Sequence, residues 1–225
     1  MINTNELKIR AMATPGELVE AVADVLGIPM ETVTNYDRVL SENGMRSKSG
    51  RGRGAAKVTA GDAANLLIAI MGSPIAGASV KEAANTCRKY GSLPGSIVAG
   101  TNNFASLGLP MLDQLGKHTL HQGISALIKS AARGEHFRTP GLKETTDDFC
   151  GIELDGPRPW AEILADGSVG ELKEFARLVY TRPWKKPVRH REGDLNQSRH
   201  TTYRTIRKLG SLLSEQGAAE SRVKG

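Results

Sequence analysis

A helix–glycine–helix pattern over residues 14–40 restricts the fold of this chain more than any other sequence feature. Thr14 can cap a first helix, Pro15 suits its first position, and Glu17 completes a capping box. Apolar residues then recur at helical spacing as far as Gly27, where a left-handed residue would end the helix. A second amphipathic stretch follows at once. The pattern therefore predicts two short helices joined by a tight turn.

The spacing within this segment resembles the bacterial helix-turn-helix. That motif has a small residue in its first helix and, four positions later, a glycine in the turn, and Ala23 and Gly27 occupy these positions here. The apolar positions around the turn are filled by Leu26, Ile28, Val33 and Tyr36. In such a motif the second helix enters the major groove of DNA. The resemblance implies that bases are contacted by Thr32, Thr34, Asn35 and Arg38.

A glycine-rich basic stretch follows the second helix. Residues 45–58 contain five lysines or arginines and no acid, and residues 46–54 include no apolar side chain, which predicts an exposed loop. Thr59 then caps a third helix. This order resembles winged-helix domains, and residues 22–70 are similar to the MerR-type arrangement. The resemblance implies a wing that contacts the DNA backbone through Arg46, Lys48, Arg51, Arg53 and Lys57. Residues 59–70 also resemble uncharacterised bacterial and phage proteins.

The second half of the chain is predicted from capping signals and apolar spacing. Ser79 and Glu82 predict a capped fourth helix, and residues 91–116, rich in Gly, Ser and Pro, predict a long connection with a short helix near Met111. Further helices are predicted at 118–133, 168–180 and 198–215, and a β-hairpin at 149–164.

We therefore expect a mainly α (α+β) fold, in which an N-terminal winged helix-turn-helix is followed by a helical domain with one β-hairpin. The predicted divisions are a flexible arm at 1–11, the DNA-binding domain at 12–72, the helical domain at 79–216 and a flexible tail at 217–225.

The charge distribution favours a polyanionic partner. The formal net charge is +6, and residues 182–208 contain nine lysines or arginines against two acids. A solvated face or a flexible tail is an equally good interpretation of this second run. Its candidate contacts with DNA are Lys185, Lys186, Arg189, Arg191, Arg199, Arg204, Arg207 and Lys208.

No metal, cofactor or catalytic group is expected. The two cysteines, Cys87 and Cys150, are too few for a disulfide framework or a zinc finger. His118 and His121 could share a metal with them, but the four residues are scattered and lack tight pairs. The acids of residues 144–174 have no nuclease spacing. We therefore expect a protein that is not an enzyme.

The location and assembly of the chain follow from its apolar segments. No apolar run approaches the roughly 20 residues that span a bilayer, and the first residues lack a secretory signal, so we expect a cytoplasmic, nucleoid-associated protein.

The apolar face of the last helix, with Ile206, Leu209 and Leu213, must pack on the body or on another copy, which predicts a homo-oligomer.

These observations favour a sequence-specific, double-stranded DNA-binding regulator of transcription, bacterial or phage-encoded. Two alternatives remain open at this point. One is the small DNA-recognition subunit of a phage packaging terminase, which also places a helix-turn-helix before a helical oligomerisation domain. The other is an RNA-binding module that uses the Arg-Gly loop and the basic last helix.

Overall fold

The computed structural model of this chain describes residues 13–47, 57–74, 79–100, 104–105, 109–134, 150–166, 175–182 and 197–214. The helices are α1 (Pro15–Leu26), α2 (Met30–Glu42), α3 (Ala60–Gly72), α4 (Ala83–Gly91), α5 (Leu120–Ala132) and α6 (Tyr203–Leu213). The strands are β1 (Gly95–Gly100), β2 (Cys150–Gly156), β3 (Trp160–Asp166), β4 (Phe175–Tyr180) and β5 (Gln197–Thr202). A short 3-10 helix covers Pro110–Asp113.

The helix–glycine–helix pattern folds as predicted. The Thr14 backbone N–H donates to Glu17 Oε2 at 2.7 Å, and the Glu17 N–H donates to Thr14 Oγ1 at 3.3 Å, so the capping box of α1 is complete. Gly27 ends α1 in the left-handed region, with φ of 64°. Because a side chain there would be strained, the glycine fixes the turn from which α2 starts.

Helix α3 is the central helix of the fold. It contacts α2, α4, α5 and α6 and also strands β2 and β5. Thr59 caps it, as predicted, because its hydroxyl accepts a hydrogen bond from the Asp62 N–H. The Asp62 carboxylate in turn accepts from the Thr59 N–H, which completes a capping box. An uninterrupted apolar run, Leu66–Met71, suits this position because nearly every face of the helix is buried.

The five strands form one antiparallel sheet in the order β1-β4-β3-β2-β5. Its apolar face carries a row across three strands, in which Ile152 lies opposite Ile163 and Ile163 lies opposite Leu178. All three side chains are fully buried. Tyr180 on β4 reaches the α5 backbone at Gly123, where an added Cβ would collide with the tyrosine hydroxyl. The sheet and the helices thus share one hydrophobic core.

The predicted fold class is wrong. The strands β2 and β3 pair directly across the turn after Gly156, but they form the interior of a five-stranded sheet rather than a lone hairpin appended to a helical domain. Strand β1 lies between helices α4 and α5 in the chain. The helix predicted at 168–180 is strand β4 where the structure describes it. On either side of the basic loop, the described residues 45–47 and 57–59 contain no strand of a wing.

Each error has a physical cause. The sequence Phe-Ala-Arg-Leu-Val-Tyr of β4 is too short for its apolar residues to distinguish a helix from a buried strand. Strand β5 has no apolar residue, and it forms because its backbone pairs with β2. Pairing of this kind comes from distant segments, so tertiary contacts override local propensity. Likewise, α4 begins without the predicted Ser79–Glu82 box, since Glu82 makes no side-chain capping bond.

The apolar face of α6 is covered within the chain. Ile206, Leu209 and Leu213 are buried, and α6 packs on α5 and α1. The face that suggested a homo-oligomer therefore no longer supports one, and the homo-oligomer stays a prediction. The predicted arm at 1–11 and tail at 217–225 lie outside the described residues.

Close packing of α6 on α5 depends on Gly210. A Cβ at this position would lie 2.5 Å from Ala131 Cβ and 2.8 Å from two backbone atoms of α5. We expect Gly210→Ala to lower the free energy of unfolding by about 2 kcal/mol, since overpacking outweighs the gain of about 1 kcal/mol in helix propensity. The melting temperature should fall by about 4–8 °C in a thermal scan.

Gly16→Ala is the matched control for this change. Gly16 lies in the first turn of α1, and an added Cβ there would meet only Thr14 Oγ1, at 4.0 Å. This variant should be as stable as the wild type or slightly more stable. Equal melting temperatures for the two variants would contradict the close approach of α5 and α6.

None of the helices in the described ranges is long and apolar enough to cross a membrane.

Candidate functional site

Helix α2 buries one face and presents the other to solvent. Val33, Tyr36 and Leu40 point into the core at helical spacing. On the opposite side, Thr34 and Arg38 are exposed, while Thr32 and Asn35 are half-buried. The Thr34 hydroxyl donates to the Met30 carbonyl at 2.8 Å, so its oxygen retains acceptor capacity. The four predicted base-contacting residues thus lie on the part of α2 that does not form the core.

The ends of the basic loop meet at Asp62. Its carboxylate accepts hydrogen bonds from the Ser47 N–H at 2.7 Å and from the Ser47 hydroxyl at 2.9 Å. It also accepts from the Thr59 N–H at 2.7 Å and the Thr59 hydroxyl at 2.8 Å. We call Ser47, Thr59 and Asp62 the loop base. One buried carboxylate therefore holds the chain on both sides of residues 48–56.

Arg46 forms an ion pair within the body of the protein. Its Nε lies 2.8 Å from Asp37 Oδ1, without hydrogen-bond alignment, and the exposed side-chain fractions are 16% and 12%. The Arg46 guanidinium also donates to the Ser41 hydroxyl. Burial raises the pKa of the Asp37 carboxyl, the Arg46 charge opposes this, and the nearby Asp62 carboxylate raises it further. A contact between Arg46 and DNA would require this ion pair to break.

The other predicted wing residues flank or fall within the loop. Lys57 is exposed just before Val58, whose backbone N–H donates to the Ala13 carbonyl at 2.9 Å. Lys48, Arg51 and Arg53 lie outside the described residues. The structure therefore fixes the positions of residues 47 and 57, on either side of the basic stretch.

Basic side chains of α6 lie beside the end of α1. Lys208 Nζ is 2.9 Å from Asp24 Oδ2, and this contact lowers the pKa of the Asp24 carboxyl. Arg204 and Arg207 are exposed and line a cleft of about 250 Å³ together with Asp24 and Lys208. This cleft is close to the turn at Gly27, because Asp24 lies in the last turn of α1.

The remaining residues of the second basic run are distributed differently. Arg199 on β5 points inward, where its guanidinium donates to the Ile70 carbonyl at the end of α3. The other four, Lys185, Lys186, Arg189 and Arg191, lie outside the described residues. Of the eight basic candidates, the structure thus brings Arg204, Arg207 and Lys208 together on one exposed helix face.

The histidines and the buried cysteine are engaged in separate contacts. His118 Nε2 lies 3.0 Å from the Tyr180 hydroxyl, and burial lowers the pKa of its imidazole. His121 Nε2 lies 3.1 Å from the Gly61 carbonyl. Cys87 is buried beside Asn65, and burial raises the pKa of its thiol to about 12. Within the described ranges, no three His, Cys, Asp or Glu residues form a group that could hold a metal.

A cleft between α3 and α5 was missed by the sequence interpretation. Lys129 on α5 and Arg133, the residue that caps the end of α5, line it four residues apart, a spacing that places two side chains on one helix face. That spacing is visible in the sequence, but the opposite wall, formed by Thr59 and Gly61, comes from a segment 60 residues away from His121 and appears only on folding.

The polar face of α2 and the basic face of α6 thus present hydrogen-bonding and positively charged groups of the kind that bind a polyanion. No protein-family model matches this chain, and neither a curated protein nor a solved structure does.

Proposed function

We propose that this protein is a sequence-specific double-stranded DNA-binding regulator of transcription, bacterial or phage-encoded, with α2 as its recognition helix. The observation that carries the proposal is the polar face of α2, which follows a left-handed turn at Gly27 and exposes Thr34 and Arg38 while Val33 and Tyr36 hold the helix to the core. Hydroxyl, amide and guanidinium groups are the groups that hydrogen-bond base edges in the major groove.

The basic loop supports the same proposal through electrostatics. Residues 48–57 carry four lysines or arginines and no acid, and Asp62 anchors the chain on both sides of them. Positive groups that neutralise phosphates supply most of the sequence-independent affinity for DNA. We propose that Lys48, Arg51, Arg53 and Lys57 contact the DNA backbone, whereas Arg46 stabilises the loop base through Asp37.

Helix α6 adds a second positive surface near the turn of the motif. Arg204, Arg207 and Lys208 are exposed beside the last turn of α1, and α2 begins a few residues later. Lys208 already neutralises Asp24, which reduces the repulsion between that carboxylate and a phosphate. We propose that these residues contact the backbone next to the recognition site.

Asn35→Ala tests whether α2 reads bases. A target is first obtained by selecting bound sequences from random duplex DNA, and affinities for the target and for random duplex are then compared. Because the substitution changes no charge, we expect a loss of about 1–3 kcal/mol on the target and almost none on random duplex. Asn85→Ala is the matched control, since Asn85 is exposed on α4, and it should bind both duplexes like the wild type.

Other outcomes would redirect the assignment. Equal losses on the two duplexes would mean that Asn35 positions the backbone rather than reading bases. Failure of the wild type to bind any duplex would overturn the proposal.

We also expect a homo-oligomer, because helix-turn-helix proteins commonly bind paired half-sites as dimers. Ring-sized oligomers in light scattering would instead favour a packaging subunit, and preference for RNA would favour an RNA-binding module.

A further inference from the structure

A second concave site lies away from α2, between the start of α3 and the length of α5. The cleft has a volume of about 690 Å³, within the range of pockets that hold small organic ligands. Its long wall runs from Gln122 on α5 to Arg133, the residue that caps the end of α5, and at 1.5 Å per residue it is about 16 Å long. Thr59 and Gly61 form the facing wall, and His121 bridges the two, 3.1 Å from the Gly61 carbonyl.

The charge of this cleft is one-sided. Lys117 lies at one end, Lys129 and Arg133 lie at the other, and none of the described lining residues is acidic. Lys129 and Arg133 are both exposed, and their four-residue spacing places them one turn apart at the C-terminal end of α5. An ammonium beside a guanidinium suits a phosphate, because the guanidinium fork can donate to two of its oxygens.

The hydroxyl groups of the cleft are already used by the protein. The Ser125 hydroxyl donates to the His121 carbonyl at 2.7 Å, and the Thr59 hydroxyl donates to Asp62. We expect any ligand of this cleft to contact its basic side chains and the apolar part of its wall. That part consists of Leu109, Pro110, Met111 and Ala126, which offer a surface for a flat or apolar group.

We propose that this cleft binds a small organic phosphate of mononucleotide size. Its phosphate lies between Lys129 and Arg133, and its ring system lies against Leu109 and Met111. A mononucleotide combines the charge and the flat apolar surface that the two parts of the cleft require. The site is independent of the proposed DNA contacts, although it shares Thr59 with the loop base.

Titration calorimetry without DNA tests this site. The probes are AMP, GMP, CMP and UMP, with inorganic phosphate and adenosine as partial ligands, at an ionic strength of about 0.15 M. We expect at least one mononucleotide to bind one-to-one with a Kd below about 1 mM. Phosphate alone should bind about tenfold more weakly or worse, because it lacks the apolar contact. Adenosine should bind about tenfold more weakly as well, because it lacks the charge.

Two double variants then assign the site. Lys129→Ala with Arg133→Ala should weaken the mononucleotide about tenfold or more. Lys89→Ala with Arg182→Ala removes the same charge from two exposed side chains that do not line this cleft and should leave binding unchanged. Circular dichroism confirms that both variants are folded. Equal losses in the two variants would overturn the proposal, as would binding of no mononucleotide below about 1 mM. Tighter binding of a single-stranded oligonucleotide, with no mononucleotide bound, would also overturn it.

Discussion

Replacing Asp62 with alanine should lower the free energy of unfolding by about 2–4 kcal/mol and weaken binding to every duplex. Asp62 is only 6% exposed and accepts four hydrogen bonds, two from Ser47 and two from Thr59. Loss of the capping box costs about 1 kcal/mol. The remainder comes from the Ser47 and Thr59 donors that lose their acceptor. Denaturant unfolding measures the first effect, and titration with duplex DNA measures the second.

Glu17→Ala is the matched control, because Glu17 forms the same kind of capping box at α1 without holding a loop. Its bonds to Thr14 are entirely local, so we expect a loss of only about 1 kcal/mol and unchanged DNA affinity. The difference between the two variants measures the contribution of the Ser47 anchor. If Asp62→Ala were as mild as Glu17→Ala in both measurements, Asp62 would have no role beyond capping α3.

The double replacement of Arg51 and Arg53 by alanine should give the largest change in DNA affinity. Each phosphate contact releases condensed counterions, so the slope of log affinity against log salt should decrease by about two when both contacts are removed. Affinity should fall about tenfold or more for target and random duplex alike. The melting temperature should barely change, because residues 46–54 include no apolar side chain to pack in a core, and substitutions outside a core usually alter stability by no more than about 0.5 kcal/mol.

Lys89→Ala with Arg182→Ala controls for the loss of two positive charges. Both side chains are exposed and donate to groups away from α2, Lys89 to the Pro157 carbonyl and Arg182 to the Ser92 hydroxyl. This variant should retain the wild-type salt slope. A loop variant that bound DNA like the wild type at every salt concentration would mean that residues 48–56 are not a DNA-contacting wing.

Local signals explain which parts of the fold the sequence predicts. The capping box of α1, the Thr59 cap of α3 and the glycine turn after α1 depend on residues no more than four positions apart, and all three form as predicted. The sheet does not follow from such signals. Its strand order joins β1 to β4 and β5 to β2, and β5 contains only polar residues. Those pairings depend on the packing of distant segments, which no short pattern records.

The candidate site likewise has some features that local sequence patterns predict and others that only the folded chain shows. Amphipathic spacing correctly places Val33 and Tyr36 inward and leaves Thr34 and Arg38 exposed. The partners of Arg46 and Arg199 could not be predicted, because Asp37 and the Ile70 carbonyl meet them only in the folded chain. The role of a basic residue within a positively charged segment can therefore be assigned only when its burial in the folded chain is known. Half-buried arginines of this kind stabilise the fold through partners that they could not keep while binding phosphate.

Ser47 and Thr59 both donate hydrogen bonds to the Asp62 carboxylate, and this makes the segment between them suitable for engineering. The cost of closing a chain segment grows only slowly with its length once its ends are held together. Segments of different length or charge could therefore be grafted between residues 47 and 57 while the helical body keeps its packing. Asp62 makes this position an insertion point at which the proposed DNA contacts could be altered without rebuilding the core.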